Sequence, residues 1–86
     1  MYNEAQRKRA LEIVHLALSD SISLAEVTLE MSKLEAASDP LVAAAIHTVM
    51  HFLTDVDIRQ SDKEYNAIAR GQLVEMVMEL QSGRNA

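Results

Sequence analysis

The chain contains no cysteine. Disulfide staples, thiolate metal sites and cysteine nucleophiles are therefore excluded together, and the composition suits a reducing cytoplasm, the expected location. Aromatic residues are nearly as scarce: two tyrosines, one phenylalanine and no tryptophan, 3% of the sequence. With one proline and two glycines, turn-forming residues are too few for a many-stranded fold. Apolar residues nonetheless make up 49% of the 86 positions. The core must then be built from Leu, Ile, Val, Met and Ala, which suits helices packed side by side better than a sheet. A chain this short buries only about 60–65% of the surface it exposes when unfolded, so one domain with a thin stability margin is expected.

Positive charge is also short. Thirteen acidic residues face eight basic ones, for a formal net charge of −5, which argues against nucleic acid as the main partner. The longest nearly apolar stretch, Leu41 to Leu53, is too short for a membrane span and contains two histidines. Arg7-Lys8-Arg9 precedes an apolar segment in the manner of a signal peptide. Glu12 and His15 interrupt that segment, however, and its apolar residues follow a helical period, so it reads as part of the mature fold.

What is present is helical punctuation. The spacing predicts a compact all-α, four-helix up-down bundle with helices over 3–18, 23–37, 40–58 and 62–82, spanning 1–86 as a single domain with a frayed tail from about 83. Asn3 with Gln6 is a candidate first cap, and Ala10, Leu11, Val14, Ala17 and Leu18 form the first stripe. Ser23 and Glu26 make a capping box, with Ile22 and Val27 where a hydrophobic staple would close. Leu24, Val27, Met31 and Leu34 then recur at helical spacing. Asp39-Pro40 ends one helix and opens the next, because proline suits the first helical position and disfavours helical dihedrals in the residue before it. Val42, Ala45, Ile46, Val49, Leu53 and Val56, joined by Phe52, make the third helix the most hydrophobic. Ser61 and Glu64 are a second candidate capping box. Tyr65, Ala69, Leu73, Met76 and Leu80 form the last main stripe, and Gly83 is a natural stop.

Two helices carry more apolar surface than one seam needs. At about 100° per residue, Ala67, Gly71, Val74 and Met78 form a second stripe on the last helix, away from Tyr65, Leu73 and Met76. On the second helix Ile22, Ala25, Leu29 and Ala36 lie opposite the main stripe, with Glu26, Glu30 and Lys33 on a charged edge. Such arcs pack against two neighbours inside a bundle, or one of them is covered by a partner, most commonly a second copy. Met50, on the flank of the third helix, joins Met78 as a contact candidate because methionine packs adaptably, whereas Met31 and Met76 read as core.

Chemistry-bearing patterns are sparse. His47, His51 and Asp55, at i, i+4 and i+8, are the candidate metal stripe, since two histidines one turn apart can chelate a transition metal. Glu12 and His15 have the i, i+3 spacing of di-iron carboxylate bundles, but the further inward-facing pairs such a centre requires are missing. Arg7, Lys8 and Arg9 are the one basic cluster; no aromatic side chains interleave it to stack on bases. No glycine-flanked serine elbow, phosphate-cradling loop or cofactor fingerprint is found. The sequence thus predicts a non-enzymatic protein–protein interaction or regulatory module, a homodimer through Ala67, Gly71, Val74 and Met78 supported by Ala25, Leu29 and Met50, without cofactor, metal, membrane or nucleic acid. The alternatives are a metal-binding bundle using His47, His51 and Asp55, and a nucleic-acid-associated regulator using Arg7, Lys8 and Arg9.

Overall fold

The computed structural model describes residues 4–34 and 39–82, which form five helices and no strand. These are α1 (Glu4–Leu18), α2 (Leu24–Leu34), α3 (Pro40–Thr54), α4 (Val56–Ser61) and α5 (Lys63–Ser82). The expectations placed on Asn3, on the packing of Leu34, on Ala36 and 35–37, and on Gly83 and the tail lie outside the described residues.

Helix α3 is the hub. It buries Leu41, Val42, Ala45, Ile46, Val49 and Phe52, the most apolar run of the chain, and packs against all four other helices except for a looser approach to α4. Helix α1 packs on α3 and α5 through Ala10, Ile13, Val14 and Ala17, all fully buried. Ile13 was not on the expected stripe; it widens that stripe because α1 touches two neighbours. Helix α2 packs mainly on α3 through Val27, and its link to α1 is polar. Leu24, expected in the core, is exposed, whereas Ile22, read both as the staple partner of Val27 and as part of the spare arc, is buried in the core with Val27. The capping box explains the placement of Ile22. Glu26 N–H donates to Ser23 Oγ (3.2 Å) and Ser23 N–H to Glu26 Oε1 (3.3 Å), which fixes the chain's entry so that Ile22 folds inward.

Helix α1 ends in a Schellman turn. Ser21 N–H reaches Leu16 C=O (2.8 Å) and Asp20 N–H reaches Ala17 C=O (3.1 Å), with Asp20 at φ 56° in the left-handed region. Asp39 caps α3: its Oδ1 accepts from Leu41 N–H (3.0 Å), with Pro40 at the first helical position.

The expected third helix, 40–58, breaks at Asp55, whose ψ of 20° turns the chain out of helical geometry. The ladder bends there without being cut, since Asp55 N–H still donates to His51 C=O (3.0 Å) and Arg59 N–H to Asp55 C=O (2.9 Å). Contacts distant along the chain hold the bend. Tyr65 OH donates to Asp55 Oδ2 (2.5 Å), and Arg59 folds back so that its Nε–H donates to Phe52 C=O (2.9 Å). Val56, expected on the core stripe, consequently swings out and is exposed. The cap of α5 is displaced by one residue from the expected Ser61–Glu64 box. Asp62 has the extended backbone a cap needs, and its Oδ1 accepts from Tyr65 N–H (3.0 Å). Ser61 belongs to the last turn of α4, where its hydroxyl donates to Asp57 and Ile58 carbonyls.

Candidate interaction surface

Helix α5 is the longest helix, 20 residues, yet only Leu73 and Leu80 on it are buried. Ala69, Met76 and Val77 pack partly against the core. The opposite side carries the second stripe. Val74 is 48% and Met78 64% exposed, and Ala67 and Gly71 in the turns before them are exposed as well. Ile68, at the edge of the same face, is 60% exposed. Sequence reasoning missed it because it sits roughly 100° from Ala67, outside a narrow seam but inside a broad face. A Cβ placed on Gly71 would meet nothing within 4 Å. Nothing that the described chain packs there requires a glycine, although a glycine inside a helix costs about 1 kcal/mol relative to alanine.

The flanking charges of α5 are polarised. Lys63 and Arg70 lie in the half that carries Ala67 and Gly71, together with one acid, Glu64. Glu75 and Glu79 lie in the half that carries Val74 and Met78, where with Met78 and Ser82 they line an open depression of about 320 Å³. On α2, Ala25 is exposed and Leu29 is 60% exposed, so those two face solvent. Met50 is half-buried and packs against the core.

The basic cluster is drawn largely into the fold. Arg7 is buried and holds Asp39 with both ends of its fork, Nε to Oδ2 at 2.6 Å and Nη2 to Oδ1 at 3.1 Å. Arg9 donates from Nε to Glu30 Oε1 (2.5 Å) and lies 3.6 Å from Glu12. Lys8 alone of the three is fully on the surface. Buried Arg59 lies with its guanidinium carbon 3.6 Å from the centre of the Phe52 ring and donates to Asn66 Oδ1 (3.3 Å). Arg70 donates to Leu18 C=O at the end of α1 (2.6 Å). Each arginine among the described residues therefore serves a contact within the chain, and three of those contacts fall at helix ends. Apart from the Arg9–Glu12 pair, which lies at i,i+3, these roles were invisible in the sequence, because the partners lie seven or more residues away or on the backbone.

On α3, His47 and His51 are exposed, while Asp55, the third member of their stripe, is taken by the Tyr65 hydroxyl. That hydrogen bond, with partial burial and the nearby Asp55 charge, raises the Tyr65 pKa above its ordinary value; Arg59 opposes the shift. Glu12 and His15 are exposed on α1. Among the described residues no group of three or more His, Asp or Glu side chains is gathered to hold a metal ion, and no helix is long and apolar enough to cross a membrane. Compared with protein-family models, with known protein sequences and with solved structures, the chain gives no match.

Proposed function

We propose that this chain is a non-enzymatic, cytoplasmic interaction or regulatory module that self-associates through the outer face of α5. The observation that carries the reading is that the longest helix buries two residues and leaves Ile68, Val74 and Met78 exposed. Burying such a face is favourable by roughly 25 cal/mol per Å² of apolar area, and a second copy is the commonest means of covering it in a small protein. Ala25 and Leu29 on α2 supply a second, smaller apolar surface for a further contact. A single helix face is small beside the ~800 Å² per partner of a standard interface, so the dimer is expected to dissociate in the micromolar range.

Val74→Asp is the direct test. Val74 is half exposed and about 100° around α5 from buried Leu73, so the variant should keep its helical circular dichroism while the dimer dissociates at least 100-fold more readily, because a carboxylate would be buried without a partner. A Val74→Asp chain that loses helicity would assign the stripe to the core and overturn the proposal.

A further inference from the structure

We propose that His47 and His51 form a two-point surface site for a divalent transition cation of the zinc class. The proposal does not depend on self-association, since the pair lies on α3 and not on α5. Helix α3 packs against its neighbours over most of its circumference and leaves one narrow solvent stripe: Pro40, Ala43, Ala44, His47, His51 and Thr54. It carries no Lys, Arg, Asp or Glu. Its two threonine hydroxyls are satisfied within the helix, Thr48 on Ala44 C=O and Thr54 on Met50 C=O, both at 2.8 Å. Neither imidazole makes a hydrogen bond or ion pair with another described residue. The two rings are the side-chain ligands that α3 turns to solvent uncommitted.

Four residues advance a helix by roughly 6 Å and turn it by about 40°. The rings therefore stand one turn apart on the same side, within reach of a single cation. Helix α3 runs unbroken from Pro40 to Thr54 with its other side buried in the core, so the spacing is set before the metal arrives and little ordering entropy is lost on binding. Ala43 and Ala44, the exposed residues of the preceding turn, are small and leave room for the cation's waters. No cationic side chain on α3 opposes it, and the net charge of −5 favours it. Imidazole nitrogen suits zinc, copper and nickel, whereas magnesium and calcium prefer oxygen. Asp55, the third residue of the spacing, is engaged by the Tyr65 hydroxyl (2.5 Å). Two protein nitrogens thus hold the cation and water fills its other positions. That makes the site an exchangeable one, because structural zinc sites are closed by four protein ligands.

The test is calorimetric titration of the full, untagged chain with zinc chloride, with the ring nitrogens of the three histidines followed by NMR. One equivalent should bind, shifting the His47 and His51 rings together and leaving His15 in place. His47→Ala and His51→Ala should each weaken binding at least about tenfold, with helical circular dichroism unchanged because both positions are exposed. Ala43→His in the His51→Ala chain rebuilds an i,i+4 pair one turn earlier, at another exposed position, and should recover the affinity. Magnesium chloride in place of zinc should give no binding. The proposal is overturned by the absence of saturable zinc binding in the sub-millimolar range, or by an affinity that either single variant leaves unchanged. Ala43→His that fails to restore binding overturns it as well, since spacing alone would then not make the site.

Discussion

The arginines bear most of the polar load, and Arg7 is the clearest case. Its fork closes on Asp39, whose side chain is 1% exposed, and Asp39 in turn caps α3. Removing one member of a buried ion pair weakens the compensation of the other charge, at a cost of about 3–5 kcal/mol. Asp39→Asn keeps a capping oxygen, so the variant removes the carboxylate charge and leaves the cap. Urea denaturation should show a fall of about 3 kcal/mol, partly recovered in Arg7→Met/Asp39→Asn; a fall below about 1 kcal/mol would contradict the role given to the pair. Domains this size hold only roughly 0.05–0.15 kcal/mol per residue, so the single variant sits near the edge of folding. Asp20 is the reverse case. At φ 56° it occupies a left-handed site that favours glycine, and Asp20→Gly should stabilise the protein by about 1 kcal/mol, raising its melting temperature. Tyr65 gives a pH signature. Its folded pKa stands above the unfolded value because Asp55 accepts the phenolic proton. The associated stability is present below pH about 10 and is lost as pH rises through the folded pKa. In a Tyr2→Phe background, absorbance titration should show ionisation later than for free tyrosine, moving back toward the ordinary value in Asp55→Asn.

At the scale of elements, local signals were legible and long-range ones were not. The Ser23–Glu26 box and Asp39-Pro40 could be read because the cap and its N–H lie within three residues. The bend at Asp55 could not, since Tyr65 and Arg59 hold it from ten and four positions away. The cap at Asp62 was missed for a subtler reason: Ser61 and Asp62 are equally good cap residues, and only the end of α4 decides between them. On α5 the second stripe was legible from its period, but its exposure was not, because periodicity does not say which of two apolar arcs meets a neighbour. Gly71 separates the alternatives. With open space around its Cβ, Gly71→Ala should raise the stability of the monomer by up to about 1 kcal/mol and weaken self-association in the same protein. Denaturant titration at low concentration and light scattering at high concentration read the two effects separately. A variant that is less stable as a monomer would show that the chain itself needs the glycine.

The whole molecule measures 39 × 25 × 17 Å with a radius of gyration of 12.5 Å, close to the roughly 12 Å expected for a folded chain of this length. Its thinnest dimension holds about two helix layers at a spacing of roughly 8–10 Å, which is why α5 presents one face to the core and the other to solvent. The most direct test of self-association through that outer face is size-exclusion chromatography with light scattering over a low- to high-micromolar series. A mass that rises from one chain to two with concentration, and stays at one in Val74→Asp, is the predicted result. A mass of one chain at every concentration would contradict the account and leave the α5 face to a different protein.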